Sequence, residues 1–416
     1  MEVIKKIRLI FSKKDSKVLL ENFLSLSALQ LIGMLLPLIT LPYVLRVVGF
    51  EKYGIVVFAA SLIAYFQSLT DFSFKITAVR DVATSRNNIK ELSFIYSKVL
   101  VIKFFFLLLS LFIIAIIVCS FNGFYEYKEI YFYSTLLLIG YALFPEWFFQ
   151  GIEQMKYITY FNIGVKLFFT ICVFLFIKKE DDYWIYPLLQ GVGFILSGII
   201  GQLFLVYKYK LKFEILPFKV LCNVIKMNFP LFVNQFVPTL YNNTSVFVLG
   251  IFGAKTLVGI YQAILTVVNL LIVIIEVISR VFFPFLNRQH NAFYNFRKIM
   301  FSVYFLVGTL FVISHKAIFW YLNINYDDAF LVLSILIVGV FGYMLDDIYG
   351  LNYFIIKKKD VLVMVNTIVF SIVGMIVSYP LINRYGIIGC AITLSVTRIM
   401  MGGRLYYKFL MEKRYS

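Results

Sequence analysis

Apolar runs of roughly 20 residues recur along almost the whole 416-residue chain, and this pattern removes most folds from consideration. Each run is long enough to cross about 30 Å of hydrocarbon as a helix. In lipid every backbone polar group must bond within its own segment, and the runs are too long for barrel strands. The chain therefore reads as an all-α polytopic membrane protein. Its composition agrees: 61% hydrophobic, 15% charged, mean hydropathy +0.88, against about 45–50% apolar and about 25% charged in soluble domains. The breaks between runs stay under about 20 residues, too short for a soluble catalytic domain.

Apolar runs between polar breaks predict about twelve spans, at 19–47, 54–79, 93–119, 130–149, 157–177, 184–206, 228–252, 256–286, 299–320, 328–356, 361–381 and 386–409. Most of the 39 Lys and Arg fall on one side of this topology, including Lys208, Lys210, Lys212 and Lys357 to Lys359. The positive-inside rule then places both termini in the cytoplasm. The acidic loops at Glu126 to Glu129, Glu180 to Asp182 and Asp327 to Asp328 face out. Residues Met1 to Lys17 are basic and lack a cleavage motif, which predicts a segment on the anionic cytoplasmic leaflet and not a signal peptide. The net charge of +17 is thus mainly topology; nucleic-acid binding is not expected, because the basic residues are dispersed among membrane loops.

A glycine followed by an acid 17 residues later and a base 21 residues later occurs twice, as Gly54, Asp71, Lys75 and as Gly259, Glu276, Arg280, offset by 205 residues. Acid and base four apart share a helix face and can pair. The longest break divides six spans from six, so the chain reads as an N-terminal lobe at 1–206, a basic cytoplasmic linker at 207–227 and a C-terminal lobe at 228–416. An even number of spans makes the repeat parallel.

Charges at membrane depth are costly and usually face a protein interior or a cavity. Besides the two pairs they comprise Arg46, Lys103, Lys166, Asp346, Asp347, Arg398 and Arg404. Structural ion pairs are the alternative reading for the paired sets, and snorkelling to the interface for Lys103 and Arg404. Arg398, near the midplane, points to an anionic ligand. Asp346 and Asp347 are adjacent, about 100° apart on a helix, which predicts that one of them faces a cavity. Pro37 and Pro42 in span 1 match Pro230 and Pro238 in span 7, as interruptions that could serve as hinges. Tyr241, Asn242, Asn243 and Thr244 form a polar stretch in span 7 suited to sugars, whose hydroxyls need paired donors and acceptors. With four scattered cysteines and two histidines, neither a disulfide, a metal site nor a cofactor is expected.

Four stretches resemble one family. Tyr141 to Phe169 (YALFPEWFFQGIEQMKYITYFNIGVKLFF) carries a Pro-x-Trp, Phe-Gln-Gly, Glu pattern, Gly49 to Ala83 a first-loop and span-2 pattern, Leu249 to Asn269 a span-7 to span-8 motif, and Tyr385 to Cys390 the start of span 12. Together they resemble the bacterial O-antigen and polysaccharide flippases of the multidrug/oligosaccharidyl-lipid/polysaccharide exporter superfamily. One departure is Ser73, where that family usually has glycine. The resemblance implies two pseudo-symmetric six-helix lobes around a central cavity, in the inner membrane, that move undecaprenyl-diphosphate-linked oligosaccharide between leaflets by alternating access, with no catalytic residue.

Under that resemblance Arg46, Lys75, Arg280 and Arg398 are candidates to hold the diphosphate, and Tyr241, Asn242 and Asn243 the sugar. Asp71, Glu276, Asp346 and Asp347 become candidates for a coupling cation, H+ or Na+, or for gating. Membrane lipids are further partners, with a polysaccharide polymerase and chain-length regulator as candidate protein partners. The alternatives are a drug or cation antiporter of the same superfamily and a membrane-embedded polymerase or glycosyltransferase. The latter needs a larger outer loop than Gly49 to Tyr53 provides.

Overall fold

In the computed structural model, residues 32–33, 35–288 and 292–415 are described; the basic N-terminal segment and the first half of span 1 lie outside them. The described chain is helical. Among the described residues ten helices are long and apolar enough to cross a membrane. One of them, Asp360–Arg414, has 55 residues, about 80 Å of helix, and reverses at Gly386 (φ 54°, ψ −126°), so it counts as spans 11 and 12. With Leu35–Val47 as the described end of span 1, ten plus one plus one gives about twelve helices, and the chain is an all-α multi-pass membrane protein.

Span 3, Ile89–Ser120, shows how an apolar sequence still encodes a face. Ile102, Lys103, Phe106, Ser110 and Ile114 are buried at helical spacing, while Phe104, Phe105, Leu108 and Phe112 are exposed, as expected of a helix with protein on one side and lipid on the other.

Chain contacts group into two compact units that do not follow chain order. The first takes the described chain to Pro37, Leu69–Leu175 and Pro187–Phe232; the second takes Leu38–Ser68, Phe176–Tyr186 and Val233–Ser416. Three of these boundaries fall at or within two residues of Pro37, Pro187 and Pro230. The prolines do not interrupt their helices as expected: helical backbone continues through Pro37 and Pro42, and Phe218–Phe252 runs unbroken over Pro230 and Pro238. Proline removes one backbone bond, and a spanning helix absorbs that loss.

In the first unit, span 2 breaks where no proline occurs. Helix Gly49–Asp71 ends and Phe74–Thr84 begins across Phe72 (φ 37°) and Ser73 (φ 65°). Left-handed backbone suits glycine, so the Ser73 departure noted above bears on backbone strain and not on helix packing. Phe72 is stacked between Phe106 and Phe232, with ring centroids at 4.5 and 4.9 Å, and this holds the break in place. Span 4 likewise stops at Leu143 and restarts as Glu146–Gly151, which packs on Phe74–Thr84. Here the family-like residues build a clamp. Arg86 donates from Nε to the Gly151 carbonyl (2.9 Å) and from Nη2 to Glu153 Oε1 (2.7 Å). That bond holds the Glu153 carboxyl, in the loop between spans 4 and 5, below the usual carboxylate range.

In the second unit the two repeat glycines meet. A Cβ on Gly54 would strike the Lys255 carbonyl, and one on Gly259 the Phe50 carbonyl, so Gly49–Asp71 and Lys255–Arg288 cross backbone to backbone. A second close crossing joins spans 10 and 12, where a Cβ on Gly342 or Gly402 would enter the opposite backbone. It brings Arg398 to Tyr343.

Candidate functional site

The two copies of the acid–base pair differ in what surrounds them. In the first unit Asp71 lies 3.1 Å from Lys75 Nζ and 3.1 Å from Lys103 Nζ. Lys103 also donates to the Tyr141 carbonyl at 3.1 Å, and its side chain is only 6% exposed. Lys103 therefore does not snorkel; with Lys75 it doubly compensates Asp71, while Arg404 is exposed and its guanidinium lies over Phe370. Glu146 faces Lys75 electrostatically and lines, with Asp71, Lys75, Lys103, Tyr141 and Trp147, a small pocket. Two carboxylates and two lysines balance there.

In the second unit the acids are met mostly by neutral groups. Glu276 Oε2 stands 3.8 Å from Arg280, whose side chain is half exposed, and Oε1 accepts from the Tyr343 hydroxyl at 2.8 Å. Asp347 accepts from Ser279 (3.0 Å) and from Asn352 (3.1 Å), and Asn352 also donates to Ser279 (2.7 Å). Asp346 Oδ1 is buried without a partner. Asp347 is buried and Asp346 partly so. Span 10 widens here into a π-helix over Asp346–Ile355, a distortion common at functional sites.

Arg398 completes the cluster. It is 7% exposed, its guanidinium lies 5.8 Å from the Tyr343 ring centroid, and it interacts with Tyr241, which Asp346 also faces. Arg398 Nε and Nη1 have no hydrogen-bond partner. A buried guanidinium with idle donors is costly unless an acceptor is supplied, and its fork suits phosphate or carboxylate.

Other candidates fall elsewhere. Arg46 is exposed and donates to the Tyr321 carbonyl at 3.2 Å, away from the cluster. The Asn242 and Asn243 amides turn back onto the Pro238 and Thr239 carbonyls (3.1 and 2.9 Å), leaving their carbonyl oxygens as the groups available to a ligand. Sequence reasoning missed Tyr343, Ser279 and Glu146. Tyr343 stands three and four residues before the aspartates and Ser279 three after Glu276, so helical spacing was the available signal.

The chain belongs to the polysaccharide biosynthesis protein family, which it matches over residues 19–290. It is similar, at 23% identity over 394 residues, to an Escherichia coli (strain K12) protein provisionally assigned as an O-antigen transporter, covering 91% of this chain and 94% of the relative. A Shigella dysenteriae protein with the same assignment is 25% identical over 92% of this chain and 97% of its own. Among solved structures, an inward-facing multidrug resistance MATE family transporter of the MOP superfamily aligns with a TM-score of 0.67 at 12% identity, over 93% of this chain and 98% of that one. The lipid II flippase MurJ in an inward closed conformation gives 0.66 at 15%, over 94% and 87%. Both likenesses concern the fold.

Proposed function

We propose that the protein moves an undecaprenyl-diphosphate-linked oligosaccharide, an O-antigen or related repeat unit, from the cytoplasmic to the periplasmic leaflet of a bacterial inner membrane. The observation that carries this is Arg398, a buried guanidinium with two idle donors beside Tyr241 and Tyr343. A diphosphate supplies the missing acceptors, and the lipid tail stays in the bilayer. Family membership and the O-antigen assignment of the relatives support the substrate class; the distribution of Lys and Arg supports cytoplasmic termini.

In this reading the repeat halves 1–206 and 228–416, joined by 207–227, alternate access around a central cavity, with flexure near Pro37, Pro42, Pro230 and Pro238. Lys75 and Arg280, both half exposed, attract the diphosphate at the inner vestibule, and the free oxygens of Asn242 and Asn243 take sugar hydroxyls. Asp71 is compensated by two lysines, so cation coupling falls to Glu276, Asp346 and Asp347. No catalytic step is needed. Arg398→Gln and Arg280→Gln should each abolish surface glycan assembly at unchanged protein level in the membrane. Normal glycan display in both variants would overturn the diphosphate role.

A drug or cation antiporter shares the fold equally well, and the grouping of Glu276, Asp346 and Asp347 suits it. The two readings separate on Arg398, because a cationic drug is repelled where a diphosphate is held.

A further inference from the structure

Spans 5 and 6, Met155–Phe176 and Ile185–Tyr209, run antiparallel within the first unit and enclose a feature that the proposed function leaves unused. They meet at one end, where Tyr157 and Phe204 lie 4.8 Å apart. Further along they flank a mainly apolar groove of about 230 Å³, lined among others by Tyr160, Gly164, Leu196, Ser197 and Ile200. Tyr160, Leu196 and Ile200 are about half exposed or more, so the groove opens to lipid. Gly164 is exposed at the groove's edge, and a Cβ there would meet nothing within 4 Å.

At the closed end sits a cation without an acidic partner. Lys208 Nζ donates to the Tyr157 hydroxyl at 2.6 Å and lies 4.6 Å from the Phe204 ring centroid and 4.8 Å from that of Tyr157. No carboxylate pairs with it among the described residues. Lys156 Nζ lies 5.9 Å from the same Tyr157 ring. Ring faces orient the ammonium but leave its charge available. The Tyr157 hydroxyl accepts from Lys208 and keeps its own proton to donate. A positive head site thus stands directly below an open apolar groove.

We infer that this is a binding site for one anionic phospholipid, its phosphate held by Lys208 and the Tyr157 hydroxyl and one acyl chain lying in the groove beside Gly164. Charge complementarity selects the occupant: basic pockets between spanning helices retain anionic headgroups, each nearby base adding about 1 kcal/mol, whereas a zwitterionic lipid gains no net charge attraction. The assignment to the cytoplasmic leaflet rests on the sidedness proposed above; the site itself does not.

The test uses the full-length protein in mild detergent, where lipid retention is counted by native mass spectrometry, so its outcome is independent of glycan transport. Wild type should retain phosphatidylglycerol over phosphatidylcholine. Lys208→Gln should lower that retention about fivefold, the equivalent of about 1 kcal/mol. Gly164→Leu, which fills the groove where nothing stands in the way, should lower it also while leaving the protein folded. Lys128→Gln, at the other end of the bundle, should change nothing. Equal retention of the two lipids, or of phosphatidylglycerol by wild type and both site variants, overturns the site. Competitive displacement of phosphatidylglycerol by a polyprenyl phosphate assigns the groove to the substrate's tail and overturns it as well.

Discussion

Ser73 is held in a conformation that serine resists, and replacing it separates two costs that the structure superimposes there. With φ at 65° its β-carbon costs roughly 1–2 kcal/mol relative to glycine. Its hydroxyl is buried without a hydrogen-bond partner, which costs a further 1–3 kcal/mol or so. Ser73→Ala removes only the second term. Ser73→Gly removes both but loosens the unfolded chain, offsetting about 0.4–1 kcal/mol. The expected order of stability is glycine above alanine above serine, with glycine gaining roughly 1–4 kcal/mol. Thermal unfolding in a fixed detergent, followed by intrinsic fluorescence at one scan rate, reads this as a rise of several degrees. A glycine variant no more stable than the alanine variant would refute the strain; an alanine variant no more stable than serine would refute the unpaired hydroxyl.

Three further outcomes follow from the same geometry. Lys103→Met leaves the buried Asp71 with one half-exposed partner and should cost about 3–5 kcal/mol, seen as a lowered melting midpoint, whereas Lys75→Met should cost about 1 kcal/mol or less; equal losses would contradict the assignment of Lys103 as the main counter-charge. Gly54→Val pushes a side chain into the Lys255 carbonyl and should cost at least about 1–3 kcal/mol, while Gly164→Val, with open space around it, should be tolerated. Glu153 has its carboxyl depressed by the Arg86 hydrogen bond, so its contribution is present above the unfolded carboxylate pKa and is lost as pH falls through the folded value. Exposure keeps it under about 1 kcal/mol. The wild type and Glu153→Gln should differ in melting midpoint at pH 7 and converge at the acid end of the range, a comparison that a pH series of melts provides.

Much of the fold was legible because lipid imposes one rule, length of apolar run, on every span. The matched spacing of Gly54 and Gly259 was visible too, though it could not show that the two glycines meet. What escaped were local departures from helix. The break at Phe72–Ser73 has no proline and no glycine; it is made by tertiary stacking of Phe72 on Phe106 and Phe232. The π-helix at Asp346 comes with bonds among Asn352, Asp347 and Ser279, and Ser279 lies 73 residues from Asn352 and 68 from Asp347, beyond the reach of local pattern. In the candidate site the charges were visible and their partners were not, since Lys103 looked like a snorkelling base until Asp71 and the Tyr141 carbonyl stood beside it. Arg46 shows the converse: a charge at a span end that the chain uses to tie Tyr321.

The most direct test of the account is flipping of a fluorescent undecaprenyl-diphosphate oligosaccharide in proteoliposomes containing the purified protein. The account predicts translocation by wild type and its loss in Arg398→Gln at equal reconstitution. Translocation by Arg398→Gln at the wild-type rate, or none by wild type, would contradict it.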